Sequence, residues 1–212
     1  MQTSKGQSIE DASMEIIEKE IGTHPYNEKE WQIVRRIIHS TADFDFAKEN
    51  QIIFHKNAIE DGIKALKKGC SITVDVNGVS GLLNKQNCRD FGNKVVCKIS
   101  DPEVITQAKN EGKTRSQISM RMAKSDIDGG VVVIGNAPTA LLEVIQMINE
   151  KIVSPALVIG IPVGFISAAE SKAQLARTEI PFITNKGRKG GSPSAAAIIN
   201  ALFKLLREEL SS

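Results

Sequence analysis

Apolar and polar residues follow two different rhythms along this chain. Near the start they recur with helical spacing. Ile9, Ala12, Ile16, Ile17 and Ile21 fall on one helical face, and Trp31, Val34, Ile37 and Ile38 on another. Ser8 with Asp11 and Asn27 with Glu30 each place a capping residue three positions before an acidic one, so two helices are expected to open the chain. From residue 72 onward, short continuous apolar runs alternate with helical patterns. Ile72–Val76, Val95–Ile99, Val131–Ile134, Leu157–Ile161 and Phe182–Thr184 read as five strands. The helical patterns lie near 78–84, 102–124, 138–149 and 166–176, with a last helix from about 193 to 208. Runs such as Val131–Ile134 suit strands covered on both faces by helices. The alternation requires right-handed crossovers, which gives an α/β fold with a mainly parallel five-stranded sheet and extra N-terminal helices. Ile52–Phe54 fits either a short additional strand or an ordered loop.

No long linker, low-complexity tract or internal repeat divides the chain, so one domain over 1–212 is expected, with N-terminal helices at about 8–40 and the sheet at about 50–208. A net charge of +2 and 4% aromatic residues give little with which to hold nucleic acid. No apolar run approaches the roughly 20 residues of a membrane span, and the first residues lack the apolar stretch of a secretory signal, so a cytoplasmic location is expected. Cys70, Cys88 and Cys97 are odd in number and lack C-x-x-C spacing, which argues for buried thiols rather than a disulfide framework or a zinc site.

In an open α/β sheet, ligands bind beyond the carboxyl ends of the strands. Two such loops are rich in small residues: Ile134-Gly135-Asn136-Ala137-Pro138-Thr139-Ala140 and Gly160-Ile161-Pro162-Val163-Gly164-Phe165. Pro138 suits a first helical position, and the backbone N–H groups after Asn136 are expected to be free for an anion. Asp75, Asn77-Gly78 and Ser100-Asp101 would wall the same edge. So would Lys186–Ser192, whose three cations and three glycines can grip carboxylates or phosphates. A solvated basic loop that caps the last helix with Ser192 is the plainer reading of that stretch. No P-loop or G-x-G-x-x-G pattern occurs.

Three histidines are present. His24, before Pro25, reads as a surface residue of a turn, and His55 as a core edge or a site residue. His39 ends the second helix, where the helix dipole favours an imidazolium, so it suits either a capping role or proton transfer near neutral pH. Arg115 sits where a helix can begin after Gly112, either solvated or as a carboxylate fork. The pairs Asp43/Asp45 and Asp126/Asp128 are better explained as turn residues than as metal ligands, and no metal site is expected.

Several of these stretches together resemble one family. Arg36-Ile37-Ile38-His39, Lys113-Thr114-Arg115-Ser116, the two small-residue loops, Ala168-Ala169-Glu170-Ser171-Lys172 and Gly187-Arg188-Lys189-Gly190-Gly191-Ser192 occur in the order found in the precorrin-8X (cobalt-precorrin-8) methylmutases of cobalamin biosynthesis. The resemblance runs from about Ile9 to the C-terminal helix. It implies a flavodoxin-like three-layer α/β/α fold, a homodimer, and an isomerisation that moves a methyl group from carbon 11 to carbon 12 of a corrinoid ring, without a cofactor. It places the catalytic histidine at His39, as general acid and base. The substrate-binding positions it implies are Ser13, Arg115, Ser116, Asn136, Ala137, Thr139, Val163, Gly164, Phe165, Arg188, Gly190, Gly191 and Ser192. A ring acid with many carboxylate arms needs cations at its rim, for which Arg115, Lys186, Arg188 and Lys189 are candidates, and apolar walls, for which Val79, Leu82, Val163 and Phe165 are candidates. The Lys and Ile content leans toward the cobalt-containing substrate. A non-catalytic corrinoid carrier of the same fold is the alternative, and a flavodoxin-like phosphate or nucleotide binder rests on fold analogy alone.

Overall fold

The computed structural model describes residues 3–211, so Met1, Gln2 and Ser212 of the expected 1–212 unit lie outside the described residues. The chain opens with helices α1 (Ser4–Ile21) and α2 (Glu28–Thr41), then a 3-10 turn at Phe44–Ala47. There follow β1 (Ile52–Phe54), α3 (Ala58–Lys67), β2 (Ile72–Val74), α4 (Asn77–Leu82), α5 (Lys85–Asp90) and β3 (Val95–Val96). The second half runs α6 (Pro102–Glu111), α7 (Arg115–Met122), α8 (Lys124–Ile127), β4 (Val131–Ile134), α9 (Pro138–Asn149), β5 (Leu157–Gly160), α10 (Ala168–Leu175), β6 (Phe182–Asn185) and α11 (Ser192–Ser211).

The sheet has six strands in the order β1-β6-β5-β4-β2-β3, one more than the five expected. β2 to β6 are parallel and run in the 2-1-3-4-5 order of flavodoxin-like sheets. The addition is β1, antiparallel to β6 with Ile52 opposite Asn185. Three residues are too few to show a period, so the sequence left that strand undecided. Local contacts make it: the Ile52 N–H donates to the Tyr26 hydroxyl, and the Lys186 N–H donates to the Gln51 carbonyl.

Alternate side chains of the strands enter two cores. Ile72, Val74, Val131, Val133, Leu157, Ile159 and Ile183 face α2, α3 and α11, whereas Val132, Ile134, Val158 and Phe182 face α7, α9 and α10. That period of two yields the three layers.

The helices depart from expectation at several points: α3 and α5 are not among the expected helices, and α1 and the 102–124 stretch differ from their expected form. α1 begins at Ser4 under a Thr3 cap, and the Ser8 hydroxyl instead donates to the Ser4 carbonyl within the helix. Ile9 and Ile16 of the expected buried face are exposed, and Met14 and Ile17 are the residues that pack. Where one helix is expected over 102–124, there are three, because Gly112 ends α6 in the left-handed region (φ 62°) and a Thr114–Gln117 capping box starts α7. α2 forms as expected, with Asn27 and Glu30 capping reciprocally. α2 ends on Ala42 in a left-handed conformation, φ 53°, at a position that usually takes glycine.

Candidate active site

The crevice between β2 and β4, where strand order reverses, is the usual ligand position in this topology. Here the protein fills it itself. The buried Asp75, directly after β2, accepts hydrogen bonds from the N–H groups of Gly135 (3.1 Å), Asn136 (2.7 Å) and Ala137 (2.7 Å). Burial pushes the Asp75 carboxyl above its ordinary range, and the three N–H bonds pull it partly back. The expectation of free amides after Asn136 is therefore corrected, since a carboxylate 60 residues earlier in the chain already holds this cradle. Ala137 is buried, the Asn136 side chain is exposed, and the Thr139 hydroxyl accepts from Thr114 Oγ1 at 3.2 Å.

The loops after β5 and β6 are laced to each other. The Gly164 N–H donates to the Arg188 carbonyl (3.2 Å) and the Gly191 N–H to the Ile161 carbonyl (3.0 Å), so these two amides are also spent internally. Gly190 has φ 146°, and a Cβ there would collide with the Ile161 carbonyl oxygen, so only glycine fits this approach. The Arg188 guanidinium stands 5.6 Å over the Phe165 ring, and both residues are exposed. Gly191, whose carbonyl accepts from Ala195, caps α11, so Ser192 is the first helical residue rather than the expected cap.

Beside this loop edge lies the end of α2. His39 is exposed in its last turn and lines two adjoining cavities. One, of about 240 Å³, is largely apolar and is walled by Ser13, Ile16, Ile17, Ile38, Ala42 and Phe44. The other, of about 310 Å³, is walled by Arg36, Ser40, Leu82, Pro193, Ala197 and Asn200, at the N-terminal end of α11. The first falls below the roughly 300–1,000 Å³ of ligand pockets and the second sits at the lower end of that range, so each suits one flank of a large molecule with His39 between. A cavity of about 270 Å³ near Lys64, Lys68 and Pro181 lies at the opposite, amino-terminal edge of the sheet.

Ion pairs fix α1 over α2. Arg36 meets Glu10 at 2.7 Å, Arg35 meets Glu18 at 2.8 Å, and the Trp31 indole donates to the same Glu18 oxygen. Ser13 is thereby carried to the cavity of His39, although its hydroxyl donates back to the Ile9 carbonyl (2.8 Å). His24 stacks on Trp31 with ring centroids 3.9 Å apart, so it is a packed residue and not a bare surface one.

Lys189, expected at a substrate rim, instead has its ammonium between Asp43 (2.7 Å) and Asp45 (2.5 Å), just beyond α2. The Lys189 bond, together with one from Lys48 at 2.6 Å, holds the Asp45 carboxyl down at about 2, and the Lys189 bridge joins the basic loop to the segment that follows His39. Asp43 also accepts from the Asp45 N–H, as a turn residue should. Arg115, Lys186 and Arg188 are exposed and form no ion pair among the described residues. Arg115 opens α7, on the far side of the 135–139 loop from His39. The structure thus gathers Ser13, His39 and the 188–192 loop about one edge, with Val163, Gly164 and Phe165 alongside the loop, while Arg115 and Ser116 stand apart on α7. The reading of single residues missed Lys172, which lies buried beneath the loop. A lysine between small residues on a helix carries no mark of burial.

Comparison with known proteins adds the following. A family model described as precorrin-8X methylmutase matches residues 8–205. The cobalt-precorrin-8 methylmutase of Priestia megaterium is 48% identical over 94% of this chain and 88% of its own length. That of Leptospira interrogans is 46% identical over 96% and 95%. A crystal structure of precorrin-8x methyl mutase from Thermus thermophilus superposes with a TM-score of 0.89 at 39% identity, covering 96% of this chain and 98% of that one.

Proposed function

We propose, for a chain that belongs to the precorrin-8X methylmutase family, that His39 is the proton donor and acceptor of a corrinoid isomerase whose substrate lies across the end of α2 and the 186–192 loop. Members of this family are isomerases of cobalamin biosynthesis. The observation that carries the assignment of His39 is its place: it is exposed, and it stands at the meeting of a largely apolar cavity and a mixed one that adds Arg36, Ser40 and Asn200. A flat apolar ring with ionised arms needs such a boundary. The ring packs near Ile16, Phe44 and Leu82, and its carboxylates turn toward Arg188, Lys186 and the amino end of α11.

In the reaction, His39 lends a proton to ring C, which makes the macrocycle electron-poor and eases migration of the methyl group from carbon 11 to carbon 12. It recovers the proton during the tautomerisation that follows. Nothing is oxidised or reduced overall, so an acid and base that regenerates itself suffices. Ser13 offers an oxygen from the neighbouring helix, and Arg115 and Ser116 on α7, with the side chains of Asn136 and Thr139, are read as contacts for the more distant arms, whereas Ala137, buried and with its N–H given to Asp75, is not. The relatives named for cobalt-precorrin-8 favour the cobalt-containing substrate. We read the protein as a homodimer, with exposed Val163, Phe165 and Ile166 as the apolar surface a second copy would cover. Among the described residues no helix is long and apolar enough to cross a membrane.

The test compares wild type with His39→Ala on cobalt-precorrin-8 and on metal-free precorrin-8X, followed by absorption spectroscopy. The expected result is a fall in kcat of about a hundred- to ten-thousandfold with corrinoid binding retained. Unchanged turnover in the variant would remove His39 from the chemistry.

A further inference from the structure

The loop read above as the grip on the substrate's carboxylates is tied at its ends, by Lys186 to Gln51 and by Gly191 to Ile161, and from within by buried side chains. It is rich in glycine, and at Gly190 and Gly191 it takes φ values of 146° and 123°. Beneath it lies Lys172 of α10, a lysine only 1% exposed. The Lys172 ammonium donates to Asn185 Oδ1 (3.1 Å) and to the Lys189 carbonyl (2.7 Å). Asn185, the last residue of β6, donates from its amide nitrogen to the Lys186 (3.1 Å) and Lys189 (2.9 Å) carbonyls. Two buried side chains thus converge on the carbonyl of Lys189 from below, while the ammonium of the same residue is held from outside by Asp43 and Asp45.

We propose that Lys172 is a positioning residue, whose ammonium fixes the 186–191 loop from within and so sets where Arg188 and the start of α11 meet the substrate. The proposal deepens the reading of that loop as a binding segment and rests on it for its consequence in catalysis. A buried ammonium is expensive, and a structural lysine would ordinarily sit against a carboxylate. This one is bonded to an amide oxygen and a carbonyl oxygen, and burial alone brings it down to about 8. A site of that kind has a purpose other than stability. It draws a carbonyl-lined loop down onto a donor, and it leaves the exposed residues of the loop facing outward.

The discriminating experiment uses Lys172→Met in the full-length protein. Methionine occupies much the same space without burying a charge, so the variant is expected to fold. Asn185→Ala, which removes the other half of the anchor, is the second variant. Hydrogen–deuterium exchange over residues 186–191 is measured without ligand, alongside KM and kcat for cobalt-precorrin-8. The expected outcome in both variants is faster exchange confined to that loop, about a tenfold rise in KM, and kcat within a few-fold of wild type. Unchanged exchange over 186–191 in folded Lys172→Met overturns the proposal. Faster exchange with KM unchanged upholds Lys172 as the anchor and instead removes the loop from substrate binding.

Discussion

The loops after β4 and β6 are both glycine-bearing turns that open into helices at the same edge of the sheet, yet they are organised in opposite ways. The first is closed: Asp75 satisfies three successive N–H groups, and nothing from outside can compete with a carboxylate already buried against them. The second is held at its carbonyls, by Lys172 and Asn185, which leaves its guanidinium and the first turn of α11 turned outward. What decides whether such a turn receives an anion is which of its backbone groups the protein itself has already paired. In this chain the anion site of the switch point is taken, and the open edge lies beside it, where the first turn of α11 packs against Gly135 and meets His39.

If the contrast is right, substitutions in the two loops separate stability from affinity. The largest effect belongs to Asp75→Asn, where an amide nitrogen is set against N–H donors in a dry site. We expect a loss of about 2–4 kcal/mol in urea unfolding, with KM little changed in whatever fraction stays folded. A rise in KM without a loss of stability would show that the amides of the first loop, and not only its exposed side chains, face substrate. Arg188→Ala should do the reverse, raising KM for the corrinoid by about tenfold, in keeping with one charge-assisted contact, while the thermal midpoint stays within a degree or so. A fallen midpoint with KM intact would place Arg188 among the structural residues.

The smallest effect belongs to the Lys189 bridge, which is exposed. Its bonds, with a further one from Lys48, lower Asp45 to about 2 from the ordinary 3.8, and they raise Lys189. The contribution is therefore complete above about pH 4 and up to the ordinary range of a lysine, and it is lost as pH falls from 3.8 toward 2. The difference in thermal midpoint between wild type and Lys189→Ala should be small, shrink with added salt, and close over that acid window. A difference that persists at pH 2 would mean that Lys189 acts through its packing.

Much of the fold was legible because Val131–Ile134 of β4 and Leu157–Ile159 of β5 are unbroken apolar runs, the pattern of strands buried on both faces. The capping box of α2 was equally plain. The break between α6 and α7 was written in Gly112 and in Thr114 with Gln117, but a continuous helical period over 102–124 masked it. α1 was misplaced because its apolar residues suggested a buried face, whereas Ile9 and Ile16 are exposed on the helix beside the cavity of His39. In the candidate site, type and place alone left His39 open between a helix cap and proton transfer, and it was the family resemblance that pointed to it and to Ser13, which line the same cavity. The pairings around them were not readable: Asp75 with the 135–137 amides, Lys189 with Asp43 and Asp45, and Lys172 with Asn185 all join positions far apart in the chain or silent in any local pattern.

The two outermost strands carry one more implication. β1 has three residues and β3 only two, so each border of the sheet offers another chain scarcely a single pair of ladder bonds. A sheet with such stubs for margins is a poor template for continuation from one molecule into the next. A second copy would have to approach through helices and loops, and the hydrogen-bonded edge that drives many α/β proteins into mispairing during refolding is nearly absent.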